Sequence, residues 1–392
     1  MERLAFPLML LLCLCVCSSC GILRAIWFNI PDTDDYRHDP QRRFSAPAEA
    51  FHFFRNKEAE DLGQQLSVTY QLVYNHLLLN DFVKMFNTEA FLIIRNDTVL
   101  YERYPNGLAS DHLVTTFSVS KAIIATLVGR SIKQGHLRGL EQTVGEVLPQ
   151  WRGQTIGQVT VQQLLQHTSG IQFTTKLINL GCDQIQFYYG RNLRRRMNRR
   201  KLAYPPGEHF QYSSANTQLL GLMLEAVLPQ KPDGTPQTLS DYLEAQLWHP
   251  LGMEAPGSWS LDRRDEQAIE RTFCCLQAQA IDFAKLGRLW LNDGNWQGRQ
   301  LLPPQWIDFI IGLEHPETGL YHCGFTTVGI GCNRAYYASG LMGQFIYVVP
   351  EKNLLILRFG EHKKAYSTNL WRDFFAQIAD KLLIVTATQP TK

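Results

Sequence analysis

The sequence predicts an α+β fold, an α/β sandwich in which an antiparallel sheet is assembled from segments near both chain ends, with helices on its flanks and a mostly helical region inserted between. Three observations carry this. Residues 90–94 and 99–104 are strand-like apolar runs separated by Arg95-Asn96-Asp97, a turn composition. Residues 344–349 and 354–358 repeat that arrangement around Pro350-Glu351-Lys352-Asn353. Between the two pairs, apolar residues recur at helical spacing, as in Ile123, Ile124, Leu127, Val128 and Ile132. With 392 residues, 45% of them apolar and 19% charged, the chain can bury one large core or two smaller domains sharing one. A net charge of +2 is too mild for nucleic-acid binding to be the main task. Zinc-finger spacing, a P-loop and a dinucleotide-binding glycine pattern are absent, and neither a metal nor a cofactor is expected.

Taken in order, the chain opens with Glu2 and Arg3, an apolar run from Leu4 to Val16, and then Cys17-Ser18-Ser19-Cys20-Gly21. The run is short for a spanning helix and suits the hydrophobic part of a signal peptide, with a retained anchor as the alternative. Small residues before Cys20 resemble the bacterial lipoprotein signal, in which that cysteine is lipidated and becomes N-terminal; Cys17 departs from it. The resemblance implies an exported protein of the bacterial cell envelope, tethered to the membrane through Cys20 or an anchor and facing the periplasm. The division expected is a signal or anchor over 1–20, an extended linker over 21–64, a folded domain over 65–385 and a polar tail over 386–392. Asp32, Asp34 and Asp35 lack calcium-loop spacing and read as a solvated acidic loop. Nine cysteines include Cys182, Cys274, Cys275, Cys323 and Cys332 in the body. Export permits disulfides but sequence does not fix the pairing; Cys323 and Cys332 could close a hairpin or stay buried thiols.

The helix predicted over 115–135 carries Ser118 and Lys121, with Thr115 or Thr116 as a candidate N-cap and Gly135 as the stop. Residues three apart share a helix face, so the lysine amine stands within reach of the serine hydroxyl, and unpaired N–H groups at the helix start could face an oxyanion. Thr160 to Gly170 reads as a short capped helix ending at glycine. From Ile171 to Pro206 the pattern loosens into an insertion. It holds Tyr188 and Tyr189, then seven basic residues in the eleven from Arg191 to Lys201, a solvated face or a contact for anionic head groups. Tyr212-Ser213-Ser214 then leads a buried helix through Leu219, Leu222, Met223 and Val227. Helices are expected over 238–247, 282–291 and 368–383.

Ser118-Val119-Ser120-Lys121, then L-L-Q-H-T-S-G, P-G-E-H-F-Q-Y-S-S and A-S-G-L-M-G-Q, in this order, resemble the serine β-lactamase-related superfamily in its class C-like branch. Within it the likeness is to 6-aminohexanoate-dimer hydrolases and related carboxylesterases, and it implies a β-lactamase/transpeptidase-like fold over roughly residues 85–385. By that resemblance Ser118 is the nucleophile, Lys121 its activating base and Tyr212 a proton shuttle, with which of the two takes the serine proton left open. The N–H groups of Ser118 and Leu341 would form the oxyanion hole, and Ser214, Ala338, Ser339 and Gly340 would line the substrate pocket. Penicillin-recognising relatives carry Asn where this chain has Ser214, and Lys or His where it has Ala338. Losing that cation removes the partner for a substrate carboxylate, which favours neutral ester or amide substrates. The alternatives are a penicillin-binding, β-lactamase or D,D-peptidase activity and a non-catalytic envelope binding protein on the same fold. His167, Tyr188, Tyr189 and Trp290 read as structural, and Ser120 as a helix-start residue.

Overall fold

The computed structural model describes residues 31–55, 62–70, 74–175, 181–312, 321–329, 334–361 and 367–387. The signal segment, Cys20 and Cys332 lie outside them. The chain divides into two compact units, one made of residues 1–42, 137–239 and 259–273, the other of 43–136, 240–258 and 274–392.

The second unit is built on the predicted sheet. Its strands are β1 (Phe54–Arg55), β2 (Thr88–Arg95), β3 (Thr98–Arg103), β6 (Tyr321–His322), β7 (Phe325–Val328), β8 (Ala335–Gly340), β9 (Gln344–Val349) and β10 (Leu354–Gly360), while β4 (Leu113–Thr115) and β5 (Leu276–Gln279) pair with each other elsewhere. The eight strands lie in the order β6-β7-β8-β9-β10-β2-β3-β1. Chain-terminal and chain-initial pieces meet where β10 runs antiparallel to β2, with Ile356 opposite Ile93. The β2–β3 turn has Asn96 and Asp97 at φ 50° and 57°, the left-handed conformation that a two-residue hairpin requires and that Asn and Asp tolerate.

Both sheet faces are covered, so β10 is a continuous buried run, Leu354 to Gly360, rather than an alternating one. On one face Phe91, Ile93, Tyr347 and Ile356 join Phe82 of α1 (Leu79–Met85) and Trp371, Phe374, Phe375 and Ile378 of α4 (Ser367–Ala387). On the other lies α3 (Ala280–Leu291), where a side-chain carbon on Gly287 would come within 3.0 Å of Ile346 and 3.3 Å of Leu355. Glycine there sets how closely helix and sheet approach. Trp290 of α3 donates to the Thr126 hydroxyl of α2 (Ser120–Lys133) at 2.9 Å and packs edge-on to Phe325, which makes it a packing residue as predicted.

The stretch read as an extended linker is packed over much of its length. Phe44 and Phe53 are buried, the Phe44 ring meets Trp248 at 4.8 Å, and β1 adds a parallel edge strand beside β3. Burial of Phe44 and of Phe53, each worth about 1.5–3 kcal/mol, holds the chain down.

In the other unit, the helix over residues 161–165 opens with a capping box between Thr160 and Gln163. The helix over 214–227 is capped by the Ser213 hydroxyl, which accepts from the Ala215 N–H at 3.2 Å. Short helices over 183–188 and 193–197 fill the loosely patterned insertion. Asp35 is drawn inward as acceptor for the hydroxyls of Tyr188 and Tyr189, at 3.0 and 3.4 Å. Burial, reinforced by Asp32, pushes its carboxyl up to about 6. The acidic loop is therefore partly buried, and both tyrosines are packing residues. Within the basic run, Arg194 pairs with Glu225, Arg200 with Asp183, and Arg196 donates to the Arg191 carbonyl.

Candidate active site

Ser118 does not sit in the first α-helical turn. The α-helix starts at Ser120, and residues Phe117–Val119 form a 3-10 turn ahead of it. Phe117 has φ 41°, left-handed for a bulky residue, so the backbone reverses sharply just before the serine. Thr116 is not a side-chain cap. Its hydroxyl lies 2.7 Å from that of Ser120 and accepts from the Leu276 N–H at 3.2 Å, and its own N–H donates to the Leu276 carbonyl at 3.0 Å. Those bonds hold the approach to Ser118 against β5. The helix stops as expected, with Gly135 at φ 76°.

Lys121 is buried, and its Nζ donates to Ser118 Oγ at 3.0 Å. Two glycines bring other backbone against this pair. A side-chain carbon on Gly324 would lie 2.6 Å from the Ala122 nitrogen, so the turn from β6 to β7 lies directly on the helix start. One on Gly340 would stand 2.4 Å from the Thr116 carbonyl oxygen and 3.1 Å from the Ser118 nitrogen. The end of β8 thus lies against the Ser118 N–H, and Leu341 is the next residue. Ala338 is fully buried, Ser339 and Gly340 are half-buried, and the Leu341 side chain is exposed.

The turn over Leu341–Gly343 is held from behind. Met342 has φ 62°, again left-handed in a non-glycine. Gln344 Nε2 donates to the Leu341 carbonyl at 2.9 Å and to the Gly360 carbonyl at 2.8 Å, while its Oε1 accepts from the Gly360 N–H. Arg358 is fully buried; its Nη1 donates to the carbonyls of Met342, Gly343 and Gly360 at 2.6, 2.8 and 3.1 Å, and its Nη2 to Phe86 at 2.7 Å. The guanidinium also stands 4.6 Å over the Trp371 ring. Neither Gln344 nor Arg358 was singled out from sequence, although the glutamine closes the A-S-G-L-M-G-Q run.

Tyr212 and Ser214 belong to the other unit, where they are tied to the H-T-S-G segment. The Tyr212 ring stacks on His167, centroids 5.1 Å apart and planes within 5°. His167 is buried, its Nδ1 accepts from the Ser213 N–H at 2.9 Å and its carbonyl from the Gln211 N–H at 2.9 Å. Ser169 donates to Asn216 Oδ1 at 2.6 Å. His167 is therefore a strut under the tyrosine, as its reading as structural implies. Gly170, at φ 72°, would place a side-chain carbon 2.1 Å from the Tyr204 carbonyl, which explains the glycine. Ser214, expected in the pocket, is buried and its hydroxyl donates to Gln184 Oε1 at 3.0 Å.

The one disulfide among the described residues joins neighbours, Cys274 and Cys275, just ahead of β5. Cys323 is a buried free thiol, its pKa raised by burial, and Cys332, the other end of the hairpin closure considered from sequence, lies outside the described residues. An adjacent C-C pair was the only sequence signal for the bond that exists.

The profile of the Beta-lactamase family matches residues 85–364. A 6-aminohexanoate-dimer hydrolase of Paenarthrobacter ureafaciens is 26% identical over 234 residues, 57% of this chain and 57% of that protein. The chain thus matches little more than half the length of that relative. Among solved structures, a provisional 6-aminohexanoate-dimer hydrolase from Bacillus anthracis superposes with TM-score 0.74 at 20% identity, covering 89% of this chain and 93% of its own. A class C beta-lactamase gives TM-score 0.56 at 17% identity, covering 80% and 95%. At these identities the structures speak to the fold, which is that of β-lactamases and transpeptidases.

Proposed function

The chain belongs to the Beta-lactamase family, and from that premise we propose that it is a serine hydrolase cleaving an ester or amide through an acyl-enzyme. Ser118 Oγ attacks the substrate carbonyl carbon, and its proton passes to the Lys121 and Tyr212 machinery. The tetrahedral oxyanion is received by the N–H groups of Ser118 and Leu341. Collapse breaks the bond to the leaving oxygen or nitrogen, to which Tyr212 returns the proton, and water then hydrolyses the acyl-serine by the same steps. The observation that carries this reading is the 3.0 Å bond from buried Lys121 to Ser118 Oγ, with the end of β8 lying against the Ser118 nitrogen. An ammonium beside a hydroxyl in a buried site favours the alkoxide.

Ala338, where penicillin-recognising relatives hold a cation, supports neutral esters or amides over β-lactams. Purified protein is expected to hydrolyse short p-nitrophenyl acyl esters and to react with a fluorophosphonate, and Ser118→Ala is expected to abolish both. Equal rates in the two proteins would remove Ser118 from its role, and stable acylation by a labelled penicillin would favour the penicillin-binding alternative. Export and attachment through Cys20 rest on residues 4–21. No helix among the described residues is long and apolar enough to cross a membrane. Cys20→Ala is expected to move the protein from the membrane to the soluble fraction of cells; an unchanged distribution would reject lipid attachment at that cysteine.

A further inference from the structure

We propose that Arg358 is a positioning residue for the reaction: its guanidinium holds the Leu341–Gly343 turn so that the Leu341 N–H points at the developing oxyanion. The inference rests on the oxyanion-hole reading above and extends it to a side chain that touches no substrate.

The turn has reasons to move. Met342 is left-handed, which costs a non-glycine residue on the order of 1–2 kcal/mol and persists only where surroundings hold it. The Leu341 side chain is exposed and offers little packing of its own. What the turn has instead is a charged clamp. One nitrogen of Arg358 collects the carbonyls of Met342 and Gly343, two successive peptide groups directly after Leu341, together with Gly360. The other reaches the carbonyl of Phe86, at the end of α1. Nε lies 3.4 Å from the Thr88 hydroxyl on β2. Orienting those carbonyls toward the guanidinium fixes the peptide planes of the turn. Gln344 completes the clamp by taking the Leu341 carbonyl itself.

The chemistry of Arg358 fits this task and no simpler one. Among the described residues its donors go to carbonyl oxygens and one hydroxyl, with the Trp371 ring against its face. A buried cation held this way is an expensive means of stabilising a strand, since apolar packing would serve. Its planar set of five donors, however, can fix several carbonyls at once, which lysine cannot do. Gly343 lacks a side chain because a carbon there would stand 2.7 Å from Nη1. The clamp and the glycine that admits it are one arrangement.

The test compares wild type with Arg358→Lys and Arg358→Met on a p-nitrophenyl ester, with a boronic acid as a tetrahedral, anionic adduct of Ser118. Removing an oxyanion donor outright lowers kcat about 10²–10³-fold, and displacing one is expected to lower it about 10–100-fold. In both variants kcat should fall by that order while KM stays within about threefold, and boronic-acid affinity should fall in parallel with kcat/KM. Arg358→Lys keeps the buried charge and decides the matter if Arg358→Met does not fold. A folded Arg358→Lys protein with wild-type kcat and wild-type boronic-acid affinity would overturn the proposal. So would a loss confined to stability, with unchanged turnover per folded molecule. If instead wild-type turnover survives Ser118→Ala, the serine-hydrolase reading fails first and takes this one with it.

Discussion

Two lysines of the same unit stand three residues after a polar partner on a helix, and they do opposite things. Lys121 donates to Ser118 Oγ at 3.0 Å and Lys285 to Asp282 Oδ1 at 3.1 Å, and both ammonium groups are buried. Around Lys285 the charge is answered: Asp282, Glu254 at 3.3 Å and the Gly252 carbonyl at 2.8 Å surround it. Asp282 in turn accepts from the Glu254 and Ala255 N–H groups at 2.6 and 3.1 Å. Beside Lys121 the partner three residues back is a neutral hydroxyl able to give up its own proton. Spacing is identical in the two cases, so spacing alone does not separate the catalytic role proposed for Lys121 from the ion-pair role of Lys285.

Substituting each lysine by methionine is the direct way to break this contrast. Lys121→Met is expected to lower kcat on a p-nitrophenyl ester by about 10³-fold or more, since the nucleophile loses its activating group, with a small change in unfolding free energy. Lys285→Met leaves Asp282 buried and uncompensated, and is expected to cost about 3–5 kcal/mol in denaturant unfolding with turnover per folded molecule retained. Burial already raises the Asp282 pKa, against the pull of Lys285. Without the lysine it rises further, so the stability of that variant should fall more steeply than that of wild type as pH increases. If Lys285→Met were inactive yet fully stable, the two roles would have been assigned the wrong way round.

His167 offers an intermediate case, a buried polar group whose Nδ1 accepts from the neutral Ser213 N–H. His167→Phe keeps a ring for Tyr212 to stack on and removes the acceptor of the Ser213 N–H. The expected cost is about 1–3 kcal/mol, the penalty for an unpaired buried donor. His167→Asn, whose Oδ1 can stand near the position of Nδ1, should recover part of it. Equal stability of His167→Phe and wild type would show that stacking, rather than the hydrogen bond, holds the segment.

Much of this was legible in the chain, for reasons that differ between regions. The β2–β3 and β9–β10 hairpins were readable because apolar runs and turn residues stand side by side in sequence. The pair Ser118 and Lys121 was readable because three residues on a helix is a fixed distance. Its meaning came from the accompanying motifs, since Asp282 and Lys285 show the same spacing. The start of the helix was misplaced because Thr116 spends its hydroxyl on Ser120 and on Leu276, far away in the chain, so the usual cap residue caps nothing. Arg358 sits at the end of a strand and looks like an ordinary solvent-facing terminus; only the folded turn shows that six polar groups converge on it. The packing of residues 44–55 and the bond between Cys274 and Cys275 likewise depend on neighbours that local pattern does not name.

The smallest expected effect concerns a buried carboxyl whose donors, among the described residues, are neutral. Asp35 accepts from two tyrosine hydroxyls and the Asp32 N–H, at 3.2 Å, with Asp32 and Asp39 as further acids nearby. Burial is the largest cause and moves its pKa from 3.8 to about 6. A raised carboxyl binds its proton more tightly in the folded chain than in the unfolded one. Its contribution to stability is therefore fully present below pH about 4, declines as pH rises through that window and is gone above pH about 6. Denaturant unfolding between pH about 4 and about 7 should show this decline in wild type, and Asp35→Asn should flatten it by supplying a permanently neutral acceptor. A slope unchanged by Asp35→Asn would mean that the hydroxyls of Tyr188 and Tyr189 and the Asp32 N–H offset the burial of the carboxylate.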